Sequence, residues 1–301
     1  VKINEYRSAF ACWDSQASVR SKPLREATEA TEFYYPPELV TGHGELQSAL
    51  GADRLRRLLI LHLYAYLDFT VQLESHIVLP VTTRLGTGRA GLDLPVAMRR
   101  DAMAITTDEA WHGQFTFDLI ERIAAQTGVP PRVPPAYEFQ RARGLMRESV
   151  EPALRPAFDL LITYVSETLI STKLLMLPRD ERLPAYVRGV ITDHGQDERR
   201  HHAYFRALLP HFWRSLGRRD AAVLGALIPE MIVAFLGRDE ALEQHCLAEA
   251  GLTPDQAANT AMELREAFPA ERLLHDSRAC VRYLVELGAV SQDMIEERLV
   301  A

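Results

Sequence analysis

Four tracts of this chain, each roughly 22 to 33 residues long and thus about 33 to 50 Å of helix, carry apolar residues at helical spacing between prolines. They run from Asp53 to about Leu79 ahead of Pro80, and from just after GLDLP to about Gln126. The third lies between Pro156 and Leu177 ahead of Pro178, and the fourth from Pro184 to Leu209 ahead of Pro210. Asp53 reads as the N-cap of the first. Helices of this length are normal where several of them share one apolar centre, as in a bundle. No alternating strand pattern competes with them. The first 50 or so residues, punctuated by TEFYYPPELV, read as an irregular, partly helical lead-in. Beyond Pro210 shorter helical patterns continue without a linker polar enough to mark a second domain. The expectation is a single all-α domain over 1–301, with a four-helix core at about 53–210 and additional C-terminal helices at about 218–301.

Composition narrows the function more than the fold. A hydrophobic fraction of 47% with 25% charged residues supports a sizeable core, and a net charge of −7 argues against binding nucleic acid or an anionic membrane. Cys12, Cys246 and Cys280 are far apart, which fits a reducing compartment and excludes a cysteine-built zinc site. The apolar run around Leu58 to Leu67 is too short to span a bilayer, and no basic-then-apolar leader precedes it. A cytoplasmic protein with no membrane partner is expected.

The chemistry gathers in TDHGQDERRHHAY, residues 192–204. At 100° per residue, His194, Glu198 and His201 fall within an arc of about 60°, whereas Asp197 and His202 point about 100° to either side. The second tract repeats the Glu-x-x-His spacing with Glu109 and His112, and both motifs are preceded by aspartate, in DEAWH and DERRH. Each of the other two tracts holds one isolated glutamate among apolar neighbours, Glu74 and Glu167. A buried unpaired carboxylate is costly, and metal coordination removes that conflict. One Glu on each of two helices and Glu-x-x-His on each of the other two is the inward ligand set of ferritin-like di-iron or di-manganese bundles. Oxygen and imidazole donors without thiolate suit iron or manganese. Taken singly, either Glu-x-x-His reads more readily as helix surface, and Glu74 or Glu167 could each cap a helix or pair with a buried arginine; it is their joint placement that points to a site.

With His194 added, the set Glu74, Glu109-x-x-His112, Glu167, His194-x3-Glu198-x-x-His201 resembles the p-aminobenzoate N-oxygenase (AurF-like) family of non-haem di-iron oxygenases, over about Glu74 to His201. The third histidine, one turn before the last Glu-x-x-His, is the mark of that family. The resemblance implies a ferritin-like bundle holding two iron ions. It puts Glu74, Glu109 and His112 on one iron and Glu167, Glu198, His201 and His194 on the other, with Glu109 and Glu198 as bridges, and these seven residues as the catalytic set. It also implies an O2-dependent oxidation of an amine, aryl or heteroaryl, to a hydroxylamine or nitro product in natural-product (antibiotic) biosynthesis. Electrons would come from outside, from a ferredoxin or flavin reductase, since no Gly-rich dinucleotide fingerprint is present.

Around the ligands, Asp108 and Asp197 are placed to orient His201 and His112 respectively across the pair, and Asp193 is a weaker candidate to orient His194. His43, His62, His76, His211, His245 and His275 have no partner at ligand spacing. Trp111 and the strip Tyr64, Tyr66 and Phe69 are candidates to line a substrate cavity or simply to fill the core. Lys173 is a candidate anchor for a substrate carboxylate, and an apolar strip on the C-terminal helices would support a homodimer. Competing readings are another di-iron oxygenase, such as a C–H hydroxylase or desaturase, and a non-catalytic iron-binding bundle. His194 counts against the former, and about 90 residues beyond the fourth helix against the latter.

Overall fold

The computed structural model describes residues 6–26, 31–42 and 45–300, and no strand forms among them. The lead-in is made of short helices, α1 (Trp13–Gln16), α2 (Ser18–Ser21), α3 (Pro37–Thr41) and α4 (Glu45–Leu50). The bundle then begins with α5 (Ala52–Leu73), which passes through a π-turn (Glu74–Val78) into α6 (Leu79–Gly86). It continues with α7 (Val96–Thr127), α9 (Arg155–Met176) and α10 (Ala185–Ser215). The α5–α6 unit packs on α7, α7 on α10, α10 on α9, and α9 returns to α6 and the π-turn, which closes the ring.

The ring consists of two helical hairpins joined by one long crossover, a topology of ferritin-like bundles. The crossover holds a helix that the proline-rich punctuation hid, α8 (Glu138–Ser149). It is anchored at both ends. Tyr137 donates its phenol to Asp68 Oδ2 of α5 at 2.8 Å, and Arg147 reaches both oxygens of Asp159 on α9 at 2.8 and 3.1 Å. Tyr64 of α5 donates to the Val129 carbonyl at 2.9 Å and pins the start of the crossover.

Three helix boundaries differ from the sequence expectation. Gly51 rather than Asp53 caps α5, and Asp53 lies in the first turn, where its charge still suits the helix dipole. Pro80 does not stop the first helix. Its ring would meet the carbonyl four residues back, and the wider turn ahead of it, in which the Leu79 N–H bonds the Glu74 carbonyl, relieves that conflict. Pro210 likewise sits inside α10.

The C-terminal helices are α11 (Arg218–Leu236), α12 (Glu240–Glu249), α13 (Pro254–Glu266), α14 (Ala270–Glu286) and α15 (Gln292–Val300). Within Arg218–Glu249 an 18-residue window of mean hydropathy 1.7 has the length and composition to cross a membrane, which the shorter Leu58–Leu67 run does not. In the fold it breaks at Gly237, and α11 packs on α8, α9 and α14. The large exposed apolar residues on the C-terminal helices, Val223, Met262 and Met294, belong to three different helices. One core runs from the bundle into these helices, with Leu58, Ile60 and Leu63 of α5, Phe158 of α9, Phe205 of α10 and Ile228 of α11 all fully buried. Burial of each such side chain contributes about 1.5–3 kcal/mol.

Candidate metal centre

Each of the four bundle helices turns one or more polar side chains into this apolar centre, and all of them meet. Glu74, the first residue of the π-turn, Glu109 and His112 on α7, Glu167 on α9, and His194, Glu198 and His201 on α10 are each at most 3% exposed. Their ligand atoms fall into two groups, Glu74, His112, His194 and Glu198 in one, Glu109, Glu167, Glu198 and His201 in the other, with the atoms of each group within 4.8 Å of one another.

Glu109 and Glu198 lie between the groups. Glu109 Oε2 is 3.3 Å from His112 Nδ1, and its Oε1 is 3.1 Å from His201 Nδ1. Glu198 Oε1 is 3.5, 3.4 and 3.0 Å from His112, His194 and His201. The glutamates on the other two helices each serve one end. Glu74 Oε1 is 2.9 Å from His194 Nε2, and Glu167 Oε2 is 3.7 Å from His201 Nδ1.

His194 therefore stands in the opposite half from the one the resemblance implies. Its ring lies 4.3 Å from that of His112. The reason is axial. Seven residues separate His194 from His201, about 10 Å of rise, so the two rings flank Glu198 from opposite ends.

Behind each motif imidazole stands an aspartate from the other motif. His112 Nε2 is 3.1 Å from Asp197 Oδ2, and His201 Nε2 is 3.2 Å from Asp108 Oδ2. Both aspartates are fully buried. These contacts turn Nδ1 of each ring toward the centre, the orientation a ligating imidazole needs. Asp193 does not support His194. It is taken by Arg25, whose Nε donates to it at 2.8 Å.

The lead-in supplies partners that periodicity could not show. Trp13 donates its indole N–H to Asp108 Oδ1 at 2.8 Å, and the Ser18 amide faces both oxygens of Asp197 at 3.2 Å. Arg200 closes on Asp197 as well. Phe10 lies parallel to His201 with centroids 6.1 Å apart. The only sequence signal for this role is the density of aromatic and small polar residues in a segment without helical period.

The electrostatics show a crowded acid cluster held together by protons. Burial lifts the Glu74 carboxyl to about 7, although the neighbouring His194 pulls the other way. Glu167 rises well above the carboxylate range through burial and the charges of Glu198 and Glu109. Burial would do the same to Glu109 and Glu198, but His201 and its fellow imidazoles hold both below the usual range. The His112 and His201 rings stay protonated well above the usual imidazole range, because their carboxylate neighbours outweigh burial. Burial also works against Asp197, yet the hydrogen bond from His112 and the Ser18 amide bring it down to about 2.

The donor chemistry fits a metal pair. Both oxygens of Glu74 and of Glu198, Glu109 Oε1, Glu167 Oε2, His194 Nε2 and His201 Nδ1 are buried without a well-formed hydrogen bond. Buried polar atoms are rarely left so. Four carboxylates balance two divalent cations, which would take the place of the protons.

A cavity of about 410 Å³ lies between α5, α8, α11 and α12, lined by Tyr35, Tyr66, Phe69, Phe139 and Phe235 among others. None of the seven donors lines it, and its link to the centre is Tyr66, whose phenol feels the charges of Glu74 and Glu198. Tyr66 and Phe69 thus line it, while Tyr64 belongs to the core and Trp111 to a small crevice beside Lys22 and Arg25. The Lys173 side chain and His43 lie outside the described residues. His62 is a buried partner of Glu243 at 3.3 Å, His202 meets the edge of Tyr283, and His76 and His275 are exposed.

An all-α ring with four inward carboxylates and three imidazoles defines a ferritin-like di-iron carboxylate protein. The family model of the P-aminobenzoate N-oxygenase AurF matches residues 20–288, and the chain belongs to that oxygenase family. No individually curated protein matches it.

Proposed function

We propose that this chain is an O2-dependent N-oxygenase that converts an aryl or heteroaryl amine to a hydroxylamine or nitro product, in the biosynthesis of a natural product in the cytoplasm. The observation that carries the reading is the convergence of seven buried donors, six of which, His194 among them, present ligand atoms without a well-formed hydrogen bond. Glu74, His112 and His194 would hold one iron, Glu167 and His201 the other, with Glu109 and Glu198 shared between them. The iron pair supplies O2 activation when bound.

The protein's residues do the rest. Asp197 and Asp108 accept from the outer nitrogens of His112 and His201 and so fix the rings. Phe115, whose ring lies 5.3 and 5.8 Å from those of His112 and His194, shields that side of the centre from water. Tyr66 faces the cavity on one side, and its phenol, buried and without a hydrogen-bond partner, stays protonated because burial raises it well above its usual value. It can therefore donate to a bound amine or to its oxidised product. The flat aromatic walls suit a planar substrate. Electrons come from a ferredoxin or flavin reductase.

The test is to load the protein with Fe(II), add reductant, O2 and a panel of aryl, heteroaryl and alkyl amines, and assay products by mass spectrometry. Hydroxylamine or nitro products are expected. Recovery of every amine unchanged while a hydrocarbon is hydroxylated would overturn the reading.

A further inference from the structure

The two aspartates behind the motif histidines end differently. Asp197 leads from His112 to the Ser18 amide, which is 2% exposed, and to Arg200. Asp108 leads from His201 to the indole of Trp13, a half-buried ring that reaches the surface. Its two hydrogen bonds measure 2.8 and 3.2 Å and both join conjugated side chains. Arg20 stands over the outer part of this line, its guanidinium 5.5 Å from the Trp13 ring centroid.

A second aromatic line approaches from Trp111. It crosses ring contacts of 6.1 Å to Phe115 and 5.8 Å to His194, and the Trp111 N–H is buried without a partner. Electronic coupling falls more slowly through bonds and short hydrogen bonds than across van der Waals gaps. Of the three routes outward, only the one through Asp108 is both hydrogen-bonded throughout and aromatic at the surface.

We propose that Trp13 is where electrons from a one-electron carrier protein enter, passing along Trp13, Asp108 and His201 to the metal pair. This rests on the di-iron reading above. Each transfer oxidises the carrier, an iron–sulfur or flavin protein, by one electron and reduces one ferric ion to ferrous. Two transfers reset the pair. No bond to Trp13 forms or breaks, and its N–H proton stays on the indole.

The chain offers a handle for the test. Cys12 is exposed and adjacent to Trp13, whereas Cys246 and Cys280 are buried. A ruthenium polypyridyl photoreductant attached to Cys12 of the iron-loaded protein injects electrons after a laser flash, and loss of ferric absorbance reports their arrival. Trp13→Phe is expected to slow that arrival about tenfold, the scale at which partners behind a ligand act. Trp13→His, which can still donate a ring N–H to Asp108, recovers part of the rate, and Trp111→Phe leaves it unchanged. Iron content and thermal melting of the same samples confirm that each variant is folded and loaded.

An iron-replete Trp13→Phe protein that reduces as fast as the parent, or a slow Trp111→Phe, overturns the inference and leaves the proposed function standing. A parent protein that binds no iron pair removes both.

Discussion

The two ends of the candidate centre start from the same motif and finish as different environments. At one end His112 shares its space with Glu74 and the additional imidazole of His194, and its aspartate is held by a backbone amide. At the other, His201 has Glu167 for company, a parallel Phe10 ring, and an aspartate held by an indole. The lesson is that a Glu-x-x-His repeat fixes where donors sit on a helix but not how alike the two sites become. The difference comes from one extra residue on α10 and from the lead-in.

The strongest way to break the comparison is to remove what the ends share. Glu109→Ala or Glu198→Ala should abolish binding of both irons, as measured by metal analysis, and with it all N-oxygenation. The metal-free variant should melt no lower than the metal-free parent, since one of four crowded buried carboxylates is gone.

Removing the feature that distinguishes one end comes next. His194→Ala should lower iron content at the Glu74 end selectively and reduce amine oxidation on the order of 100-fold, whereas an alteration confined to the other end would place His194 wrongly. The aspartates give a smaller, paired effect. Asp197→Asn and Asp108→Asn should each cost about 10- to 100-fold in iron affinity or turnover, each perturbing only the spectroscopic signature of its own imidazole's iron.

Loading itself should register as stability. With free Fe(II) about 1,000-fold above its dissociation constant, binding contributes about 4 kcal/mol, a rise of about 6 °C in Tm for a chain of this size. The smallest effect is with pH. Below about 7 the metal-free Glu74 carboxyl keeps its proton, as burial dictates, and a cation must displace it. Iron affinity measured by chelator competition should therefore weaken as the pH falls at both ends, since Glu167 is raised as well, with the Glu74 end adding a titration near 7 while the bridges stay ionised.

Much of this centre was legible in the sequence because helical spacing is a strict rule. Once four long helices are assumed, Glu109 with His112 and Glu198 with His201 must share faces, and an isolated Glu74 or Glu167 among apolar residues has few other uses. The pairing of Asp108 with His201 and Asp197 with His112 follows from the same geometry. Spacing along one helix does not say which neighbour faces it, so the half that His194 joins is not legible there, and the half implied by the resemblance differs from the one beside Glu74 and His112. The π-turn at Glu74 and the passage of Pro80 and Pro210 depend on local widening that residue preferences do not register. Trp13 and Ser18 act across 95 and 179 positions of sequence from an irregular segment, and no local pattern encodes such a contact. Helix α8 was missed because its mostly polar run lies between prolines and shows only a narrow apolar face, Phe139 and Met146.

The central claim is that seven residues of four helices hold two irons in unequal halves. The most direct measurement is anomalous diffraction at the iron edge from crystals of the iron-loaded protein. The account predicts two peaks, one contacted by Glu74, His112 and His194 and the other by Glu167 and His201, with Glu109 and Glu198 touching both. A single peak, or a His194 ring turned away from the Glu74 iron, would contradict it.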